Sequence, residues 1–213
     1  ASRMFTTSSS VSRALYVSTL GIDANLGTPA APLRNIQTAL SRIGKGDTIR
    51  VAAGSYSEGL IFQSQGILLG GYDSTFSESG RDIFANMTTL LGVSSTMVYD
   101  RYGSTIDGFN LSGKGVSGTG FDVASGSTVS HNVITSVTGG SGYSVRLSGN
   151  AVIVNNTIRT GIYGISIDIG SGGSLVKNNI IANNSFGIVN SSGNGIARYN
   201  DLYVNSFNYS GSY

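Results

Sequence analysis

Apolar and polar positions recur at a fixed interval over residues 104–204. Four related segments each carry an asparagine that is followed, two positions later, by an aliphatic residue. They are VSHNVI (129–134), IVNNTI (153–158), VKNNII (176–181) and ARYNDL (197–202), with the asparagines Asn132, Asn156, Asn179 and Asn200. The asparagines are 24, 23 and 21 residues apart, an interval typical of repeat proteins. The pattern predicts an all-β solenoid in which each repeat forms one coil.

A second ladder consists of the glycines Gly120, Gly142, Gly164 and Gly187, which are 22, 22 and 23 residues apart. Each glycine opens a short segment in which apolar and polar residues alternate, as in GISI (164–167). A period of two is typical of a β-strand with one buried face. Each coil therefore contains at least two strands, joined by a turn that carries the asparagine.

The asparagine column is best interpreted as structural. Equivalent residues of adjacent coils in a parallel solenoid lie about 4.8 Å apart. A buried asparagine amide needs hydrogen-bond partners, and stacked asparagines supply them to one another or to the turn backbone. We therefore expect a hydrogen-bonded asparagine ladder and not a ligand site.

The rest of the chain divides into an arm, a cap region and coils. Residues 1–14 are rich in serine and threonine and predict an arm outside the domain. Residues 33–44 predict one α-helix, because Ile36, Leu40 and Ile43 share a face and a glycine follows at the C′ position. The remaining chain, residues 15–213, is expected to form a single domain, with a cap region at 15–46 and about seven coils over 47–213.

Composition removes several classes of function. The chain has no cysteine, so disulfides and cysteine–metal sites are excluded. Its net charge is +2 without a basic run, which argues against nucleic-acid binding. No apolar stretch is long enough to predict a membrane span. The sequence predicts no cofactor and no metal centre.

Several segments together resemble a known family. They are YVSTLGIDANLGTPAAPLRNIQTALSRIGKGDTIRVAAGSYSEG (16–59), LLGGYDSTF (68–76) and the repeats NNTI, NNII and YNDLY. They resemble right-handed parallel β-helix proteins of the pectate-lyase-like superfamily. The resemblance implies three parallel sheets, a helix at 33–44 that caps the N-terminal end, and an extracellular or cell-surface location. It implies little about function, because this fold hosts enzymes, adhesins and scaffolds.

Few residues offer chemistry. Arg146 and Asp168 each stand four residues after a ladder glycine, which places them side by side on adjacent coils. The pair is a candidate for catalysis or saccharide binding, but a surface ion pair is the favoured interpretation. Asp107 shares a column with Ser130, Val154, Lys177 and Arg198, so the column holds two bases and no second acid. His131, the one histidine, is read as a solvated turn residue. We assign no catalytic residue. The sequence favours a protein without enzyme activity, and the alternative of an enzyme stays open.

The last residues suggest a partner. Residues 199–213 read as a final coil without a cover, so its open face is a template for association. The residues expected to take part are Phe5 from the arm and the aromatics Tyr203, Phe207, Tyr209 and Tyr213. The first hypothesis is an extracellular structural protein that associates end to end into a filament or acts as an adhesin-like scaffold. The alternative is a module that binds or cleaves polysaccharide.

Overall fold

Seven coils of three strands each form the body of the protein. The computed structural model describes residues 12–93, 95–113, 117–168 and 170–211. The elements in chain order are β1 (Ala14–Val17) and α1 (Ile36–Leu40), then, coil by coil, β2 (Asp47–Ala52), β3 (Gly54–Tyr56) and β4 (Leu60–Ile61); β5 (Gly66–Tyr72), β6 (Thr88–Leu91) and β7 (Thr96–Asp100); β8 (Thr105–Asp107), β9 (Phe109–Ser112) and β10 (Ser117–Val123); β11 (Thr128–Ser130), β12 (Val133–Thr135) and β13 (Gly139–Leu147); β14 (Val152–Val154), β15 (Thr157–Arg159) and β16 (Tyr163–Ile167); β17 (Leu175–Lys177), β18 (Ile180–Ala182) and β19 (Phe186–Asn190); β20 (Ile196–Arg198), β21 (Asp201–Tyr203) and β22 (Phe207–Gly211). A 3-10 turn, Glu78–Gly80, lies between β5 and β6.

The strands stack into three sheets that run along the solenoid. Sheet 1 contains β1 and the first strand of every coil, sheet 2 the second strands, and sheet 3 the third strands. Neighbouring strands in all three sheets pair in parallel. The prediction of an all-β parallel solenoid of about seven coils is confirmed.

The interior is filled by columns of apolar side chains, one position per coil. The sheet 1 column contains Ile49, Leu68, Ile106, Val129, Ile153 and Val176, all 0% exposed. The sheet 2 column contains Leu90, Leu111, Ile134, Ile158 and Ile181, also 0% exposed. Fully burying one such side chain contributes roughly 1.5–3 kcal/mol. Because every coil repeats the pattern, the core continues through the length of the solenoid.

The helix is shorter than the sequence predicts. Instead of residues 33–44, α1 covers only Ile36–Leu40. It begins late because Asn35 is extended, and its first turn is held by the Glu58 carboxylate, which accepts bonds from the backbone N–H groups of Ile36 and Gln37 at 2.9 and 2.8 Å. The helix packs against β1, β2 and β4, at the first coil, as the resemblance implies.

The ladder asparagines are joined by hydrogen bonds from coil to coil. Asn132 donates to the Oδ1 atom of Asn156 through both its backbone N–H and its Nδ2 group, at 3.0 and 3.1 Å. Asn156 donates in the same way to Asn179, and Asn179 to Asn200. Each Nδ2 group also donates to a strand carbonyl, as Asn156 does to Val129 at 2.9 Å. The ladder thus satisfies both the amides and the turn backbone.

The glycine ladder needs a correction in register. Gly120 lies beside Ser144, and Ser144 lies beside Gly164, so Gly142 stands two positions outside the column. The column continues from Gly164 to Gly187. The sequence spacing failed because the register shifts between β10 and β13: Ser117 pairs with Gly139, whereas Thr119 pairs with Tyr143. Two extra residues therefore lie inside β13, and even spacing along the chain does not count such insertions.

A second asparagine ladder was missed. Asn184 donates to the Oδ1 atom of Asn205 through its backbone N–H at 2.9 Å and its Nδ2 group at 3.1 Å. The repeated tripeptide Asn-Ser-Phe, at 184–186 and 205–207, is a signal that could have revealed it. The phenylalanines of the two tripeptides belong to a row of stacked rings, with centroids 4.8 to 5.1 Å apart, formed by Tyr143, Tyr163, Phe186 and Phe207.

The residues expected to mediate association fall into three groups. Phe5 and Tyr213 lie outside the described residues. Tyr203 and Phe207 are 46% and 59% exposed on the last coil. Tyr209 instead packs, partly buried, against the core, because it continues the inward column beyond Ile188. Tyr209 is therefore a core residue of the last coil and not part of the exposed surface.

Candidate functional site

Asp107, at the end of β8, is a centre of hydrogen bonds between coils. Its Oδ2 atom accepts from the Ser130 hydroxyl at 2.6 Å and lies 2.7 Å from the Nδ1 atom of His131. Its Oδ1 atom forms an ion pair with Arg81. Burial raises the pKa of Asp107, but these three hydrogen bonds outweigh it and hold the pKa below its usual value. The carboxylate therefore stabilises the folded state above the ordinary aspartate pKa, and this contribution is lost on acidification.

His131 is oriented by this carboxylate and by its turn. It occupies the left-handed region at φ 53°, as do Asn155 and Asn178 in the same turn of the next two coils. Its Nδ1 atom faces Asp107, and its Nε2 atom lies 3.1 Å from the Nδ2 atom of Asn155. The ring is half-exposed, as the sequence predicted, but it is held by two partners. Its partner Asp107 lies 24 residues away, and only the coil register brings the two together.

The segment between β5 and β6 folds over the outside of sheet 2. Arg81 anchors it, donating to the carbonyl of Gly70 at 2.8 Å in addition to its ion pair with Asp107. The Oδ1 atom of Asp82 accepts bonds from the backbone N–H groups of Phe84 and Ala85, at 2.8 and 2.9 Å, and these bonds fix a tight turn. The segment thereby presents Phe84 and Met87, which are 80% and 57% exposed.

A groove of about 390 Å³ lies between this segment and the outer face of sheet 2. We call it the sheet 2 groove. Its lining residues are Ile83, Phe84, Met87, Gly108, Phe109, Asn110, His131, Val133, Thr135, Asn155 and Arg159. The lining combines apolar side chains with amide, hydroxyl, imidazole and guanidinium groups. The sequence did not reveal the groove, because its residues come from four separate segments, 83–87, 108–110, 131–135 and 155–159.

Arg159 is the one cation that lines the groove. No ion pair joins it to any carboxylate in the part of the chain that the structure describes. It is exposed at the end of β15. The nearby charge of Asp107 is balanced by Arg81, so Arg159 leaves the groove with a positive end.

The ion pair between Arg146 and Asp168 is present, but it lies away from the sheet 2 groove. The Nε atom of Arg146 lies 2.7 Å from the Oδ2 atom of Asp168, and Arg101 pairs with Asp122 at 2.9 Å in the same network. In register, Arg146 lies beside Asp122 and Ser166, so the pair with Asp168 is diagonal and not directly lateral as the sequence predicted. The network lies on sheet 3 and contributes nothing to the groove. Its geometry fits the surface ion-pair interpretation.

Two further features, a cluster of metal ligands and a membrane-spanning helix, were sought among the described residues. Across residues 12–93, 95–113, 117–168 and 170–211, no three or more histidine, cysteine, aspartate or glutamate side chains are grouped so that they could hold a metal ion. In those same ranges, no helix has the length and apolar character needed to cross a membrane.

Comparison with known proteins gives one finding. Residues 46–212 match the family described as NosD, periplasmic copper-binding protein. No significant match was found among curated proteins, and none among solved structures. The family match covers all seven coils and agrees with the parallel β-helix that the structure shows. It does not bear on the narrower resemblance to pectate lyases, which stays a prediction. Since the match spans well over half of the sequence, the chain belongs to the NosD family.

Proposed function

We propose that this protein is a β-helix protein of the cell envelope that binds an acidic saccharide chain in the sheet 2 groove. The periplasmic description of its family supports the location. The observation that carries the binding proposal is the groove, where exposed Phe84 and Met87 lie together with amide, hydroxyl and imidazole groups. The ion pair between Arg81 and Asp107 ties the segment that carries Phe84 and Met87 to the coils.

The chemistry of the lining suits a sugar. A saccharide offers apolar C–H faces and hydroxyl edges in one unit, so its sites combine an apolar surface with a few placed polar groups. The groove supplies the apolar surface through Phe84 and Met87, and amide and hydroxyl groups through Asn110, Thr135 and Asn155. Successive coils repeat at about 4.8 Å, so a chain laid along the solenoid meets equivalent positions in succession.

The charge of the groove favours an anionic ligand. Arg159 has no ionic partner in the described chain, and no carboxylate lines the groove. A fixed positive charge beside a partly enclosed surface attracts anions and orients them. A uronate carboxylate is the anionic group that a saccharide would bring to this position.

The residues that line the groove support binding of a saccharide without its hydrolysis. Hydrolysis of a glycosidic bond requires a pair of carboxyl groups that flank it. The lining residues include no aspartate or glutamate, and Asp107 beside the groove already pairs with three groups. We therefore expect bound acidic oligosaccharides not to be hydrolysed.

The copper named in the family description does not fit the residues of this chain. Copper sites in proteins are built mainly from histidine, cysteine and methionine. This chain has no cysteine and one histidine, His131, whose two ring nitrogens face Asp107 and Asn155. Of its three methionines, Met87 lines the groove and Met97 is 1% exposed in the core. The donor set supports saccharide binding over a copper centre.

Binding assays on groove variants will test the proposal. We expect oligogalacturonate or oligomannuronate to bind the wild-type chain more tightly than cellohexaose does, as measured by calorimetry. Phe84→Ala and Arg159→Ala should each weaken binding about tenfold, because each removes one favourable contact worth about 1.4 kcal/mol. Tyr102→Ala is the matched control, since Tyr102 is 51% exposed and does not line the groove.

Two results would contradict the proposal. One is the absence of measurable binding for every acidic and neutral hexasaccharide. The other is binding that Tyr102→Ala weakens as much as Phe84→Ala does, which would place the ligand outside the groove.

End-to-end association is a second candidate function, favoured by one observation. The Phe207 ring stacks on Phe186 at 5.1 Å and is 59% exposed on the other side. The strands β20, β21 and β22 each pair on one side only within the described residues. We propose that a second copy of this chain covers this end and buries the exposed face of Phe207. Such a head-to-tail contact generates a filament, because it does not close on itself.

Light scattering and electron microscopy will test association. We expect the wild-type chain to form rods whose mass rises with concentration, and Phe207→Ala to stay monomeric with an unchanged β-sheet spectrum. Tyr102→Ala should assemble like the wild type. A wild-type chain that stays monomeric at millimolar concentration would rule out this candidate.

A further inference from the structure

We infer that His131 selects the ligand of the sheet 2 groove by accepting a hydrogen bond from a saccharide hydroxyl. This inference rests on the proposed saccharide function, and it adds a specific residue and the atom that makes the contact. It draws on the geometry around His131 and on the pattern of its turn column.

The position of the ring proton follows from Asp107. The Oδ2 atom of this carboxylate accepts from the Ser130 hydroxyl and lies 2.7 Å from the Nδ1 atom of His131. Because an ionised carboxylate only accepts hydrogen bonds, Nδ1 must carry a proton. In the neutral ring, Nε2 is then the acceptor, and it points to Asn155 at the edge of the groove.

The pair formed by His131 and Asn155 is suited to a hydroxyl group. The Nδ2 group of Asn155 donates, the Nε2 atom of His131 accepts, and the two are 3.1 Å apart. A saccharide hydroxyl is both donor and acceptor, so it can accept from the amide and donate to the ring when it enters between them. Both side chains are exposed, which leaves Asn155 free to rotate and admit the ligand.

A single substitution separates this role from a structural one. His131→Asn should fold normally, because Asn155 and Asn178 already occupy the same left-handed position in the next two coils. Calorimetry at neutral pH will measure the affinity of the wild type and of this variant for oligogalacturonate.

The variant has a distinct expected result. His131→Asn should bind about tenfold more weakly than the wild type at neutral pH. Equal thermal stability of the two chains will show that the fold is unaffected. If Phe84→Ala and Arg159→Ala weaken binding while His131→Asn leaves the affinity unchanged, the role of His131 is wrong and the saccharide groove stands. If no saccharide binds to the wild type, both proposals fall.

Discussion

Replacing Asn156 with alanine will lower the free energy of unfolding by about 1–3 kcal/mol, because it leaves buried amides without partners. The Oδ1 atom of Asn156 accepts two bonds from Asn132, and its Nδ2 group donates to Asn179 and to two strand carbonyls. Alanine replaces none of these bonds, and the site is only 1% exposed to water. Urea unfolding monitored by circular dichroism will measure the loss.

Asn208→Ala is the matched control for this substitution. Asn208 is exposed on the last coil, and its side chain accepts one bond from Asn205 at 3.0 Å. Its removal should change stability by under about 0.5 kcal/mol, as exposed sites usually do. Equal losses for the two variants would contradict the ladder as the source of stability.

Replacing Gly164 with alanine will also destabilise the solenoid by about 1–3 kcal/mol or more, through overpacking. A Cβ atom at Gly164 would lie 2.5 Å from the carbonyl oxygen of Gly187 and 2.7 Å from a methyl carbon of Ile181. The oxygen belongs to the backbone of the next coil, so relief requires the two coils to separate. Thermal melting will show the loss as a lowered Tm.

Gly44→Ala is the control for this prediction. A Cβ atom at Gly44 would meet nothing closer than a carboxylate oxygen of Asp47 at 3.9 Å. We expect little change in stability there. A Gly164→Ala variant as stable as Gly44→Ala would mean that the coils can move apart at low cost, and that the glycine column is not needed for close stacking.

The candidate site could be predicted only in part. The sequence aligned Asp107 with Ser130 and placed His131 in the asparagine turn, and both assignments agree with the structure. It did not reveal that Asp107 holds His131, because the bond crosses between neighbouring columns of adjacent coils. Nor could it place Phe84 over sheet 2, because the path of the segment after β5 depends on the Arg81 anchor. Irregular segments carry no period from which their position can be derived.

The sequence by itself determined the architecture of this protein. The repeat is 21 to 24 residues long and carries an asparagine and an aliphatic residue at fixed places. It therefore allows equivalent coils to stack and buries the same positions in each coil. Asn132, Asn156, Asn179 and Asn200 follow directly, because they and their coil neighbours share one pattern. Local periodicity is enough to predict a contact wherever a residue contacts the equivalent residue of the next coil.

Only the tertiary structure decided the lateral register and the site. The shift that removes Gly142 from its column changes the partners of β13 in sheet 3, and it makes the contact between Arg146 and Asp168 diagonal. The groove depends on a non-repeating segment that folds back over sheet 2 and is fixed by an ion pair to Asp107. Such contacts join residues that are unlike in sequence, so they arise from the three-dimensional path of the chain and not from its period.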